Sequence, residues 1–410
     1  MDLKTAIYKR FGRYARIDTQ SDENSRTFPS TRKQLALARL LVSELKAIGA
    51  KKVRLDKYGY VTAEIPATVK ARKPVIAFLA HMDTSPAASG KGVKPQLHKG
   101  WRGGDIVISR KHGVILNTGN CPELAVCKGD DIITASGDTL LGADDKAGIA
   151  VIMTAAEYLL GHREIPHGVL KIGFTPDEEV GQGVKYFDVK GFGADFAYTF
   201  DGDVAGSIEE ENFNADGLKI AVVGKSVHPG TAKNAMANAA RVAADIVASW
   251  PENLLPETTE HREGFIMFTD ISGGTEKGEV SGIVREHDMK KLKAMERQLE
   301  AIVAAKRLKY PLAKIEVTFT EQYRNMKEVI VRHPAVMGNL KAAVRQAGLE
   351  PRVKPVRGGT DGARLSFMGL PTPNVFTGGY NYHGRYEWVS LDGMNKSAEV
   401  LINLARKWAE

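Results

Sequence analysis

The sequence predicts a two-domain α/β protein: a mixed-sheet domain built from residues 1–212 and 322–410, interrupted by an inserted ferredoxin-like domain over 213–321. Three observations carry that prediction. A chain of 410 residues exceeds what one hydrophobic core usually organises. Several continuous apolar runs end abruptly in acids or histidine, as buried strands of an open α/β sheet do at their carboxyl ends. From about Asp216 the order of elements becomes β-α-β-β-α-β, the split βαβ unit that folds as one sheet with two helices on one face.

Taken in order, Ser30 and Thr31 precede apolar positions Leu37, Leu40, Leu41, Leu45 and Ile48, closed by Gly49, which reads as a capped amphipathic helix. VRLDKYGYVTAEIP alternates and turns at Tyr58-Gly59, as a strand pair does. KPVIAFLAHMDTSP, HGVLKIGFTPDEE and FAYTFDGD each read as a strand running into polar residues, and GIAVIMTAAEYLL reads as the helix that follows GADDK. The inserted domain begins with the strand GLKIAVVG and the helix NAMANAARVAADIVASW. Its strand pair GFIMFTDISG and EVSGIVREHD turns at Gly273-Gly274, and the helix MKKLKAMERQLEAIVAAKR and strand KIEVTFTEQY complete it. HPAVMGNLKAAVRQAG and MNKSAEVLINLARKWAE return as helices, separated by the Gly- and Tyr-rich loop FTGGYNYHG.

Composition excludes several classes. At 43% hydrophobic and 26% charged the chain has ordinary globular composition. No apolar run approaches the roughly 18–20 residues that cross a bilayer, and the N-terminus lacks a signal-peptide pattern, so a cytoplasmic protein without a membrane partner is expected. The net charge of +8 is scattered over pairs such as Arg32-Lys33, Lys51-Lys52 and Lys290-Lys291, without interleaved aromatics, which argues against a nucleic-acid partner. Cys121 and Cys127 are too few for a disulfide framework and match no zinc spacing; both are expected as thiols.

The chemistry lies at the predicted strand ends. His81 offers an imidazole ligand, and Asp83, two residues on, a carboxylate for the other ring nitrogen. In GADDKAG the glycines let backbone approach a ligand, making Asp144 the candidate carboxylate between two metals and leaving Asp145 to shape the backbone. A helix N-cap explains acids at that position equally well and excludes nothing. In Asp177-Glu178-Glu179, successive side chains diverge, so one Glu can ligate while the other takes a proton from the attacking water; the residues alone leave the assignment reversible. Asp201 follows the strand AYTF, and His383 sits in GGYNYHGRYEW. Singly, each has a bland reading: a hydrogen-bonded histidine, an acidic surface turn. Their convergence on one sheet edge is what makes them a site. Nitrogen and oxygen ligands without sulfur suit Zn²⁺, and also Co²⁺ or Mn²⁺.

These segments, in this order, resemble the M20 family of metallopeptidases and, within it, the bacterial aminotripeptidases. The likeness runs through RFGRYARIDTQS, FPSTRKQ, HMDTSP, GGDI, TLLGADDKAGIA, FTPDEEVGQG, ENFNA, SVHPGTAKNAM, REHD, RGGTDGARLSFMGLPTPN and YNYHGRYEWVSLDGM. It implies a zinc-dependent aminopeptidase that releases the N-terminal residue from short peptides with a free N-terminus, tripeptides above all. It also implies two zinc ions, one held by His81, Asp144 and Asp201 and the other by Asp144, Glu179 and His383. Glu178 would be the general base and Asp83 the residue orienting His81, with a cis peptide bond before Asp145. His228 would reach the reacting carbonyl, and Arg285 and Arg357 would hold substrate. The inserted domain would act as a lid and as an association surface for a homodimer. Two departures, Asp203 in place of a glycine and SPAAS without an acid, bear on substrate preference. Asp203 and Asp361 are candidates for the substrate α-ammonium. Other activities of the same scaffold (dipeptidase, carboxypeptidase, N-acyl amino acid deacylase) and a non-catalytic metal or peptide binder are the alternatives.

Overall fold

The computed structural model describes residues 2–410, which divide into two compact units. The first comprises the chain up to Glu210 with Met326–Lys354 and Thr360–Glu410; the second comprises Glu211–Asn325 with Pro355–Gly359.

The first unit is organised by an eight-stranded mixed sheet. Its strands run in the order Lys51–Leu55, Val61–Ile65, Leu170–Thr175, Ile76–His81, Phe196–Gly202, Asn374–Phe376, Ser207–Asn212 and Arg352–Val356. Leu170–Thr175, Ile76–His81 and Phe196–Gly202 are parallel neighbours and almost wholly buried, which is why they read as unbroken apolar runs. Register carries the polar ends together: His81 pairs with Thr175, and Leu79 pairs with Thr199, so His81, the Glu178-Glu179 turn and Asp201 leave the sheet at one edge. The helix Ala143–Gly161 is buried on nearly every side, as its apolar composition demands, and packs on two of these strands and on the helices Leu3–Ala15 and Leu391–Lys407.

Two features depart from the sequence reading. The helix expected to be capped by Ser30 and Thr31 runs Gln34–Ala47, with no side-chain cap at Lys33. Ser30 instead donates its amide and hydroxyl to Asp177, each at 2.5 Å, and Thr31 donates to the Gln20 carbonyl. The second feature was not anticipated: Gly379–Tyr380, Trp388–Ser390, Ile132–Thr134 and Gln96–His98 form a separate small sheet, beside a two-stranded one of Ile106–Ser109 and Val114–Leu116. Cys121 and Cys127 are buried free thiols.

The second unit has the order β-α-β-β-α-β. Its four antiparallel strands lie as Phe265–Gly273, Lys277–Glu286, Asn214–Val223 and Lys314–Tyr323. The helices Ala239–Val247 and Met289–Lys309 touch each other and the same sheet face. Ile220, Val222, Val280 and Val284 from the strands meet Val242, Ile246, Leu292, Leu299 and Val303 from the helices in one core. No helix among the described residues is long and apolar enough to cross a membrane.

Candidate active site

Seven of the ten sequence-predicted residues come together at the carboxyl edge of the parallel strands. His81, whose side chain is 2% exposed, points Nε2 at Asp144 Oδ1 (2.8 Å) and Asp201 Oδ1 (3.6 Å). Its Nδ1 faces the Asp83 carbonyl at 3.1 Å and the Asp83 carboxylate at 3.3 Å, which fixes the ring. Asp83 also accepts the backbone N–H groups of Glu178 (3.0 Å) and Glu179 (3.1 Å). One buried carboxylate therefore orients the imidazole and anchors the turn carrying both glutamates. His383 Nε2 lies 3.1 Å from Asp144 Oδ2 and 2.9 Å from Glu179 Oε2.

Asp145 has the backbone role that its sequence suggests. The peptide before it is cis. Its carboxylate accepts the amides of His81 and Gly148, both at 3.1 Å, so it ties the strand end to the start of the helix. It lies within reach of His81 and Asp201 as a metal ligand would, but both oxygens are already engaged by amides. Asp177 holds a left-handed conformation (φ 57°) and is bound by Ser30 and Gln34, fixing the base of the Glu turn from the opposite side.

The site concentrates negative charge in a buried setting. Burial, then the charge of Asp144, pushes the Glu179 carboxyl up to about 8. Burial likewise pushes Asp201 to about 7 and raises Glu178 well above the ordinary range. Glu178 is half-buried by its surface, yet protein surrounds its carboxyl. Burial alone would raise Asp144 as well, but hydrogen bonds from His383 and His81 hold it well below the usual carboxylate range. Bonds to Asp144 and Glu179 push His383 to about 11. His81 is raised by Asp201 and Asp144 against the opposing effect of burial.

Five acids against two imidazoles is the balance that divalent cations correct. The residues fit such ions. Glu179 Oε1 is buried with no hydrogen-bond partner, and His81, Asp144 and Glu179 can place ligand atoms within 4.8 Å of one another. The contacts of 2.8–3.6 Å among the imidazoles and carboxylates bracket the roughly 3.3 Å spacing of ligand atoms around a tetrahedral ion.

Residues 140–407 match the profile described as peptidase family M20/M25/M40. The chain belongs to this family. Among M20 relatives, peptidase T of Clostridium perfringens is 48% identical over 404 residues, covering 98% of this chain and 99% of that protein. Peptidase T of Geobacillus kaustophilus is 49% identical over 406 residues, 98% of each. In structure, the M20 chain is similar to the aminopeptidase PepT from Bacillus cereus, with a TM-score of 0.77 at 22% identity and 99% of each chain covered. The resemblance read from the motifs is borne out, and with it the expectation of a metallopeptidase.

The three remaining residues belong to the second unit. His228 is exposed and accepts the Gly230 amide on Nδ1 at 3.1 Å, so a neutral ring carries its proton on Nε2. Arg285 donates to the Asp216 and Val284 carbonyls and to Gln322, and lies over the Tyr323 ring. Arg357 lies against Phe213 and Phe265 and donates to Thr259 and to the carbonyls of His261 and Glu263. Of its five N–H donors, four have partners within that unit.

One buried acid bonded to the Asp144 turn escaped the sequence reading. Glu387, 1% exposed, accepts the amides of Leu141 (2.6 Å) and Gly142 (2.9 Å) on one oxygen and of Asp144 (3.2 Å) on the other. Gly142 is left-handed (φ 76°), which turns successive amides toward one point, an anion-binding nest. Its nearest signal in sequence is an acid between two aromatics, Tyr386 and Trp388, two residues after Arg385.

Proposed function

We propose that this chain is a cytoplasmic, zinc-dependent aminopeptidase that removes the N-terminal residue from tripeptides. The observation that carries the reading is the division of Asp144: Oδ1 faces His81 and Oδ2 faces His383, the disposition of a carboxylate shared by two ions. His81, Asp144 and Asp201 would hold one zinc, and Asp144, Glu179 and His383 the other. The near full-length likeness to peptidase T supports the aminopeptidase assignment.

When bound, the two ions supply Lewis acidity, which lowers the pKa of the attacking water and polarises the scissile carbonyl. Glu178 takes the proton of that water and returns it to the leaving amine, a role suited to a carboxyl that burial has already shifted toward neutrality. Asp83 keeps Glu178 and His81 in fixed relation through their shared hydrogen bonds. The second unit would serve as a lid and association surface, with His228 Nε2–H the donor for the developing oxyanion. Arg285 and Arg357 would contact substrate only by exchanging their present partners. Asp361 is buried and bound to Thr175 at 2.7 Å. Asp203 is half-buried with no side-chain hydrogen bond among the described residues, and so is the better candidate for the substrate α-ammonium.

The substrate assignment is tested by zinc-dependent initial rates on trialanine, N-acetyl-trialanine, dialanine and tetraalanine, identifying the residue released. Free trialanine yielding its N-terminal alanine fastest is the expected result. Faster turnover of the acetylated or two-residue substrate would move the chain to a deacylase or dipeptidase activity. The bridging role is tested separately: Asp144→Ala is expected to lose both ions and nearly all turnover, and full zinc content in that variant would contradict it.

A further inference from the structure

We infer that Glu387 is a positioning residue that sets the affinity of one of the two metal positions, the one formed by Asp144, Glu179 and His383. The inference rests on the two-ion reading above and adds an asymmetry to it. Glu387 accepts three amides of the turn that presents Asp144, and it lies four residues after His383 in the same loop. Its side chain therefore ties together two segments that lie far apart in the chain and each carry a ligand of that position, and it holds His383 Nε2 3.1 Å from Asp144 Oδ2. The other position shares Asp144 but draws its two remaining ligands from elsewhere: His81 is fixed by its strand register, by Asp83 and by Asp145, and Asp201 by the neighbouring strand. None of these supports touches Glu387.

The chemistry of the clamp makes it selective for a carboxylate. All three donors are N–H groups, two on one oxygen and one on the other, so both oxygens must accept. A glutamine has nearly the same shape but must turn its NH₂ toward at least one of these amides. The His383 loop would then draw away from the Asp144 turn, while Asp144 keeps its Oδ1 contact with His81.

The test uses the full-length chain stripped of metal by a chelator, parent and Glu387→Gln side by side. Co²⁺ is titrated by visible absorption and Zn²⁺ by calorimetry. The parent is expected to bind two ions. Glu387→Gln is expected to bind the first with parental affinity and the second about 10- to 100-fold more weakly, the usual effect of removing a group that orients metal ligands. Two parental affinities in the variant, or equal weakening of both, would overturn the inference and leave the two-ion reading intact. A parent that binds fewer than two ions would overturn both. Should Glu387→Gln fail to give folded protein, Glu387→Asp is measured in the same way. It keeps the charge but falls short by one methylene, and the same loss at the second ion is expected. Parental binding by the Asp variant, or failure of both variants to fold, would overturn the inference by making Glu387 dispensable or a determinant of the fold.

Discussion

Glu178→Ala is expected to lower kcat by about 10²–10⁴-fold, the usual contribution of a positioned acid-base group, while metal content stays at two ions. The geometry separates these outcomes. Imidazole contacts at hydrogen-bond distance run from His81 and His383 to Asp144 and Glu179, and none to the Glu178 carboxyl. The Glu178 backbone is held by Asp83 through its amide, which alanine retains. Removing this acid also removes a charge that burial disfavours, so the variant should fold at least as stably as the parent. Glu179→Ala is the necessary comparison: it deletes the partner that lies 2.9 Å from His383 and should lose metal as well as rate. Metal analysis and steady-state kinetics on both variants decide the roles that the residue types alone leave interchangeable. Metal loss in the Glu178 variant with retention in the Glu179 variant would exchange them.

What could be read without coordinates follows from how each group is held. His81, Glu178, Glu179 and Asp201 end buried strands, and a strand buried on both faces declares its end by an abrupt change of composition. The inserted unit was legible because its elements are long enough to show their periods. The strands Gln96–His98 and Ile132–Thr134 were not, since three residues cannot establish an alternation. Ser30 and Thr31 illustrate a different limit. A Ser-Thr pair before an apolar stripe is a sound N-cap signal, but the pair serves Asp177, 147 residues away from Ser30, and a long-range bond to a buried carboxylate outweighed the local one. Glu387 is the extreme case. Its amide partners lie 243 to 246 residues away, and nothing local separates it from an ordinary loop acid. Arg357 shows the converse: only the resemblance assigns it to substrate, and in the structure two phenylalanine rings and a loop backbone surround its guanidinium.

Removing the metal should make the stability of the first unit fall as pH rises from about 5 to 9, and restoring zinc should reduce that fall. The sign follows from the protons. Glu179 moves from 4.5 to about 8, Asp201 from 3.8 to about 7 and His383 from 6.5 to about 11, so each binds its proton more tightly folded than unfolded. Such groups stabilise fully below their unfolded values, and that contribution is lost as pH climbs through the folded ones. Asp144 has the opposite sign, since its folded pKa is depressed, but its contribution is lost only as pH falls below the ordinary carboxylate range, outside this window. Zinc replaces these protons as the partner of the same ligands, so its affinity and its stabilising effect both grow with pH. At free metal a thousandfold above the dissociation constant the gain is about 4 kcal/mol. Thermal unfolding of metal-free and zinc-loaded protein across this pH range measures the effect, and the second unit supplies an internal control for the response to zinc because it contains none of the four groups. A metal-free transition of the first unit that is flat or rises between pH 5 and 9 would mean that the carboxylates are neutralised by something other than a bound cation.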